Sequence, residues 1–162
     1  MAVRNIVQVG DEILRKKSKP VTEFDEKLGV LLDDMKDTLA KENGVGLAAP
    51  QVGVLKRVVV VADEGKYIEL VNPVVIKAGG KQENVEGCLS IPSQYGITSR
   101  PRKVTVRAQD RHGNEFKVTG ADLLARGFCH EIDHLNGVLF IDNVIRMLDP
   151  EELKQASKKK RK

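Results

Sequence analysis

Two histidines four residues apart, in His130-Glu131-Ile132-Asp133-His134, are the strongest chemical signal in the chain. Residues four apart on a helix share one face, so both imidazoles can reach a single metal ion. Glu131 projects about 100° around the axis, beside the metal and outside its ligand set. A carboxylate there can take a proton from water activated by the metal, which is why His-Glu-x-x-His marks metal-assisted hydrolysis. The remaining histidine, His112, falls in a Gly-Asn turn and reads as a solvated loop residue.

A metal held by two histidines needs a third protein ligand. A metallopeptidase built on this motif, the alternative function to weigh, takes it downstream. Six residues after His134 stands Phe140, which has no donor atom. Glu151 and Glu152 open a terminal helix, where acids belong for capping and dipole reasons. Cys129 adjoins His130 and points about 100° away from it, so it reads as a packed core thiol. Cys88, in Glu86-Gly87-Cys88-Leu89-Ser90, is expected in a glycine-containing turn between strands, free to approach from another side. Spacing leaves it as the good candidate.

The small residues of Gly44-Val45-Gly46-Leu47-Ala48-Ala49-Pro50-Gln51 would let a substrate backbone approach and pair with the chain. A dinucleotide site is discounted, because the run lacks a third glycine and a strand-to-helix setting. Gln51 is its one long polar side chain, either ordinary turn polarity or a donor to a substrate oxygen.

These residues need a frame. Residues 10–20 read as a short helical turn stopped by Pro20. Leu28, Leu31, Leu32, Met35 and Leu39 form one apolar stripe, predicting a helix over 25–42 closed by Asn43-Gly44. Strands are predicted at 58–62, 67–71, 74–77, 103–108 and 115–118. Turns at Asn72-Pro73, Gly79-Gly80 and His112-Gly113-Asn114 separate them. Helical spacing returns over 121–135, and Asp149-Pro150-Glu151-Glu152 announces a last helix. The order predicts an α+β fold: antiparallel β-sheets around a central helix bearing the metal motif, with an N-terminal and a C-terminal helix.

The chain has 162 residues, 41% of them apolar and 31% charged, which suits one soluble globular domain and excludes disorder or a fibrous repeat. Its net charge of +4 is a property of the tail, because Lys158, Lys159, Lys160, Arg161 and Lys162 are all basic. Without them 22 basic residues face 23 acidic ones. The expected organisation is therefore a catalytic metallohydrolase domain over 1–150, with a helix and basic tail over 151–162. Two distant cysteines suit a reducing compartment. No apolar run reaches the roughly 20 residues of a membrane span, and the opening lacks a signal-peptide stretch. A cytoplasmic protein without membrane or DNA partners is expected.

Taken in register, the Gly44–Gln51, Glu86–Ser90 and His130–His134 segments resemble the three signature motifs of the peptide deformylase family, without departure at any motif position. The resemblance extends through Gly137-Val138-Leu139-Phe140, and the short spacing between Cys88 and His130 is similar to the compact bacterial form. It implies a hydrolase that removes the formyl group from the N-terminal formylmethionine of new polypeptides, releasing formate. The implied metal ligands are Cys88, His130 and His134, holding Fe(II), with zinc, nickel or cobalt as substitutes. The implied proton shuttle is Glu131, and the Gln51 side chain and Leu89 backbone N–H stabilise the developing oxyanion. Val45, Gly46 and Gly87 would pair with the nascent peptide, whose first side chain enters an apolar pocket near the helix turn before His130. Tyr95 stands where some relatives carry a basic residue near the substrate. The tail reads as a possible ribosome contact, because five adjacent cations suit RNA phosphate.

Overall fold

The structure, a computed structural model, describes residues 2–160, without the side chains of 156–160. The tail cations Arg161 and Lys162, and the side chains of Lys158, Lys159 and Lys160, thus lie outside the described residues. A single 3-10 turn at Glu12–Arg15 realises the short N-terminal helical turn. Helix α1 spans Glu26–Glu42, where the Leu28 N–H donates to the Asp25 side chain and Asn43 closes the helix in the left-handed region at φ 51°. Its five predicted stripe residues are all buried.

Eight strands follow: β1 (Gly46–Ala48), β2 (Val58–Asp63), β3 (Lys66–Gly79), β4 (Gln82–Cys88), β5 (Ile91–Arg100), β6 (Lys103–Gln109), β7 (Glu115–Ala121) and β8 (Val144–Met147). They form two antiparallel sheets, ordered β1-β2-β3-β6-β7 and β4-β5-β8. Helix α2 covers Leu123–Leu135 and α3 covers Pro150–Lys160. Alternation along β2 explains the larger sheet's position. Val58 and Val60 face the α1 core, whereas Val59 and Val61 join Ala125, Phe128 and Leu135 of α2. Covered on both faces, β2 reads as a continuous valine run. A third cluster, Leu14, Ile91, Leu139 and Phe140, lies beside the small sheet with Val7 and Cys88 packed against it.

Three expectations are corrected. Asn72-Pro73 does not separate two strands: β3 runs through it, with a register irregularity between Val71 and Val74. Pairing with β2 ends at Val71, so Pro73 falls where its missing N–H breaks no ladder on that edge. Asn72, at φ 52°, bonds Val21 and Gln109 through its side chain, and these bonds fix the bulge. Glu86, Gly87 and Cys88 close strand β4, and the turn begins at Leu89. Ala121 ends β7, and α2 starts two residues later. The small sheet β4-β5-β8 and the short β1 were absent from the sequence reading.

Candidate metal centre

Strand β4 carries Cys88 to one side of a cleft, and the buried face of α2 presents His130 and His134 from the other. Cys88 Sγ lies 3.3 Å from His134 Nε2, which lies 3.3 Å from His130 Nε2. The three donor atoms fall within 4.8 Å of one another. Ligands at roughly 2.0–2.3 Å in tetrahedral array would be about 3.3–3.8 Å apart, so the triad fits one small metal ion. His134 Nδ1 has no hydrogen-bond partner among the described residues. Burial is the main cause that holds His134 well below its ordinary pKa.

Behind His130 stands a polar brace that sequence reasoning missed. His130 Nδ1 lies 2.5 Å from Glu86 Oε1. Glu86 also accepts from the Thr98 hydroxyl at 2.6 Å and from Arg100, whose other arm donates to Asp133 at 2.6 Å. Burial pushes the Glu86 carboxyl up, but the bonds from His130 and Arg100 outweigh it and hold the group far below the usual range. Glu86 thereby fixes the ring orientation that leaves His130 Nε2 facing the other donors. The sequence carried no signal for Glu86, because its segment reads as a turn and the β4 ladder is irregular between Glu86 and Cys88. Arg100 and Asp133 gave none.

Glu131 is buried beside the triad, with Oε2 4.0 Å from His130 Nε2 and Oε1 unpartnered among the described residues. Burial pushes its carboxyl up to about 7, against the lowering effect of His130. The group is poised to exchange a proton near neutral pH. Gln51 is also buried. Its Oε1 accepts from the Ala48 N–H at 3.0 Å, while Nε2 donates to Ser90 Oγ at 3.1 Å and faces Cys88 Sγ at 3.5 Å. These bonds hold the amide beside Cys88. Leu89 follows Cys88 in the turn and lines the same cleft.

The cleft measures about 440 Å³, and its wall includes Val45, Gly46, Gly87, Tyr95, Leu123 and Arg126. Gly46, which opens edge strand β1 of the large sheet, its neighbour Val45, and Gly87 of the small sheet all line it. Gly46 is required by close approach: a Cβ there would lie 2.7 Å from Glu131 Oε2. At Gly87 a Cβ would strike the Tyr95 ring at 2.6 Å.

The downstream donors of a metallopeptidase do not reach the triad. Phe140 is buried and stacked on His130, with ring centroids 6.2 Å apart, and Glu152 pairs with Arg146 at 2.6 Å. Cys129 packs with the α2 core, and burial raises its thiol to about 11. His112 is exposed in the β6–β7 turn.

Comparison with known proteins agrees with this geometry. A family model described as polypeptide deformylase matches residues 3–149. The peptide deformylase of Caldicellulosiruptor bescii is 58% identical over 155 residues, covering 96% of this chain and 93% of that protein. A crystal structure of a peptide deformylase from Legionella pneumophila superposes with a TM-score of 0.85 at 47% identity, over 97% of this chain and 92% of that one. A Met-Ala-Ser-bound peptide deformylase from Acinetobacter baumannii gives 0.84 at 33% identity, over 88% of this chain and 98% of that one.

Proposed function

The chain belongs to the polypeptide deformylase family, metal-dependent hydrolases that remove the formyl group from the N-terminal formylmethionine of new polypeptides, and we propose which of its residues perform that reaction. Cys88, His130 and His134 hold the metal, as Fe(II), with zinc, nickel or cobalt as substitutes. The convergence of the three donor atoms beside buried Glu131 carries the reading. One thiolate and two imidazoles suit each of these ions. When bound, the metal supplies the Lewis acidity that activates water at neutral pH.

Around it the side chains divide the work. Glu131 takes a proton from the attacking water and delivers it to the departing amine, a task for which its unpartnered oxygen and elevated pKa suit it. As the formyl oxygen gains charge, the Gln51 amide and the Leu89 N–H stabilise it, each donor being worth a few kcal/mol. The peptide enters as an added strand along Val45 and Gly46, opposite Gly87. A Met-Ala-Ser tripeptide bound to the Acinetobacter relative supports an entering chain that begins with methionine. Its first side chain takes the apolar part of the cleft near Leu123 and Gly127.

Residues 1–150 form the catalytic unit and 151–162 an appended helix and tail. Among the described residues no helix is long and apolar enough to cross a membrane. We place the enzyme in the cytoplasm, where nascent chains emerge. The five tail cations dock it on ribosomal RNA, with affinity falling at a log–log salt slope of about −3.5 to −4.5. Deleting 158–162 leaves turnover of a short formylated peptide unchanged and weakens ribosome cosedimentation at low salt. Equal sedimentation of both forms would refute the docking role.

Metal analysis of protein purified without oxygen, paired with Glu131→Gln, tests the site. Iron at one per chain is expected in both forms, with turnover of a formyl-Met peptide lost by roughly 10²–10⁴ in the variant. Loss of metal in Glu131→Gln, or undiminished turnover, would refute the assignment.

A further inference from the structure

The segment before the first helical turn, residues 2–9, has no regular secondary structure and lies outside all three motifs, yet it bonds to two of them. The Val7 N–H donates to the Gln51 carbonyl at 2.7 Å, and the Val9 N–H donates to the Ser90 carbonyl at 2.8 Å. Between them, the Gln8 side chain lies 3.5 Å from the Leu89 carbonyl. The Val7 side chain packs against the cluster that also receives Cys88. Gln51 and Leu89 stand on different sheets' connections, and one extended stretch of backbone spans them.

The start of the segment is anchored on α1. The Ala2 N–H donates to Asp34 Oδ1 at 2.8 Å, and Arg4 donates to Asp34 Oδ2 through Nε and Nη2, each at 2.9 Å. The Arg4 N–H donates to the Thr38 hydroxyl at 2.9 Å, and that hydroxyl donates in turn to the Asp34 carbonyl at 2.7 Å. Asp34 and Thr38 are buried polar residues on a helix that otherwise buries leucines and Met35. Burying a carboxylate and a hydroxyl there is costly unless each is fully bonded. The segment supplies three of those bonds to the Asp34 carboxylate and one to the Thr38 hydroxyl.

We propose that residues 2–9 are a strap that positions the oxyanion donors, with Arg4 and Asp34 as positioning residues. The Arg4–Asp34 latch fixes where the strap lies. The Val7 and Val9 amides then fix the backbone of Gln51 and Ser90, and so the spacing between the Gln51 amide and the Leu89 N–H. The inference rests on the oxyanion roles given to those two groups above. A displacement of a fraction of an ångström between two donors converging on one oxygen is enough to lower turnover. Cys88, His130 and His134 hang from β4 and α2, not from the strap, so metal content separates a loss of donor spacing from a loss of the ligand set.

The test is a double-mutant cycle between Arg4→Ala and Gln51→Ala in the metal-loaded enzyme, with Arg4→Lys as the conservative control. Arg4→Ala should lower kcat on the order of tenfold. KM and metal content should hold, Val7 and Val9 amide exchange should quicken, and Arg4→Lys should recover most of the rate. In the Gln51→Ala background the same change should cost under about threefold, because one of the two donors whose spacing the strap sets is gone. If Arg4→Ala folds poorly, Asp34→Asn, which keeps an acceptor for Ala2, replaces it with the same expectations. Unchanged kcat despite faster exchange would overturn the strap, as would an equal loss in both backgrounds or unchanged exchange. A Gln51→Ala enzyme as fast as the wild type would instead refute the oxyanion reading, and the strap with it.

Discussion

Gly46→Ala adds one methyl group at a crowded point of the cleft, against Glu131. The new Cβ would sit 2.7 Å from Glu131 Oε2, 2.8 Å from Cγ and 3.0 Å from Cδ. To reach ordinary van der Waals separation, the carboxylate or strand β1 must retreat by roughly 0.7 Å. Strand β1 is held by its register with β2, Gly46 opposite Val61, so the side chain gives way first. Overpacking of this kind costs about 1–3 kcal/mol in stability, or about 4–8 °C per kcal/mol in a small domain and less in one this size. The greater effect falls on chemistry. A proton carrier misplaced by part of an ångström loses on the order of tenfold to a hundredfold in rate. Steady-state kinetics on a formyl-Met tripeptide, thermal melts and metal analysis, run together, separate the two effects. Gly79→Ala is the control, since a Cβ there meets nothing within 4 Å. If Gly46→Ala keeps its kcat within twofold while Gly79→Ala is also silent, the placement of Glu131 against β1 does not govern the reaction.

Cys88→Ala should lose most of its bound metal, whereas Cys129→Ala should retain it, because Cys129 packs into the α2 core away from the triad; metal stoichiometry after gel filtration decides, and the reverse pattern would sink the ligand set. Acid stability should depend on Glu69, which accepts from Arg111 at 3.0 Å and pairs with Lys36 at 2.6 Å. Burial raises that carboxyl, but bonds from Arg111 and Lys36 outweigh it, so its pKa lies below the ordinary 4.5. Its stabilisation is therefore full above 4.5 and lost as pH falls through the lower folded value. Glu69→Gln should cost about 2 kcal/mol near neutrality, and its Tm deficit should shrink below pH 4.5. A deficit independent of pH would contradict this.

The helices and the metal motif were legible because their signals are local. The stripe of α1 and the spacing of His130 and His134 need only 3.6-residue periodicity, and β2 announced itself by four valines. The small sheet hid because three of its buried positions are polar. Glu86, Thr98 and Arg100 are buried there as an ion-paired group, and in sequence they resemble loop residues. Asn72-Pro73 carries every mark of a turn, and only the partners of the Asn72 side chain turn it into a bulge within β3. Cys88 was found by eliminating other donors, although its strand was read as a turn. The strap is invisible to any periodicity, since its bonds come from backbone N–H groups that every residue but proline owns.

The proposed ligand set spans a seam in the molecule. Cys88 ends a strand of the small sheet, while His130 and His134 ride on a helix packed against the large one. The Glu86–His130 and Arg100–Asp133 pairs cross the same seam. Metal capture is therefore thermodynamically linked to the docking of two half-molecules. The apparent dissociation constant is the intrinsic one divided by the fraction of molecules in which the sheets are closed, so any time spent apart weakens metal binding. Substitutions far from the donors, at the contact between the halves, would thus present as changes in metal affinity. A metal titration of this enzyme therefore reports any separation of its two sheets together with the strength of three donor atoms.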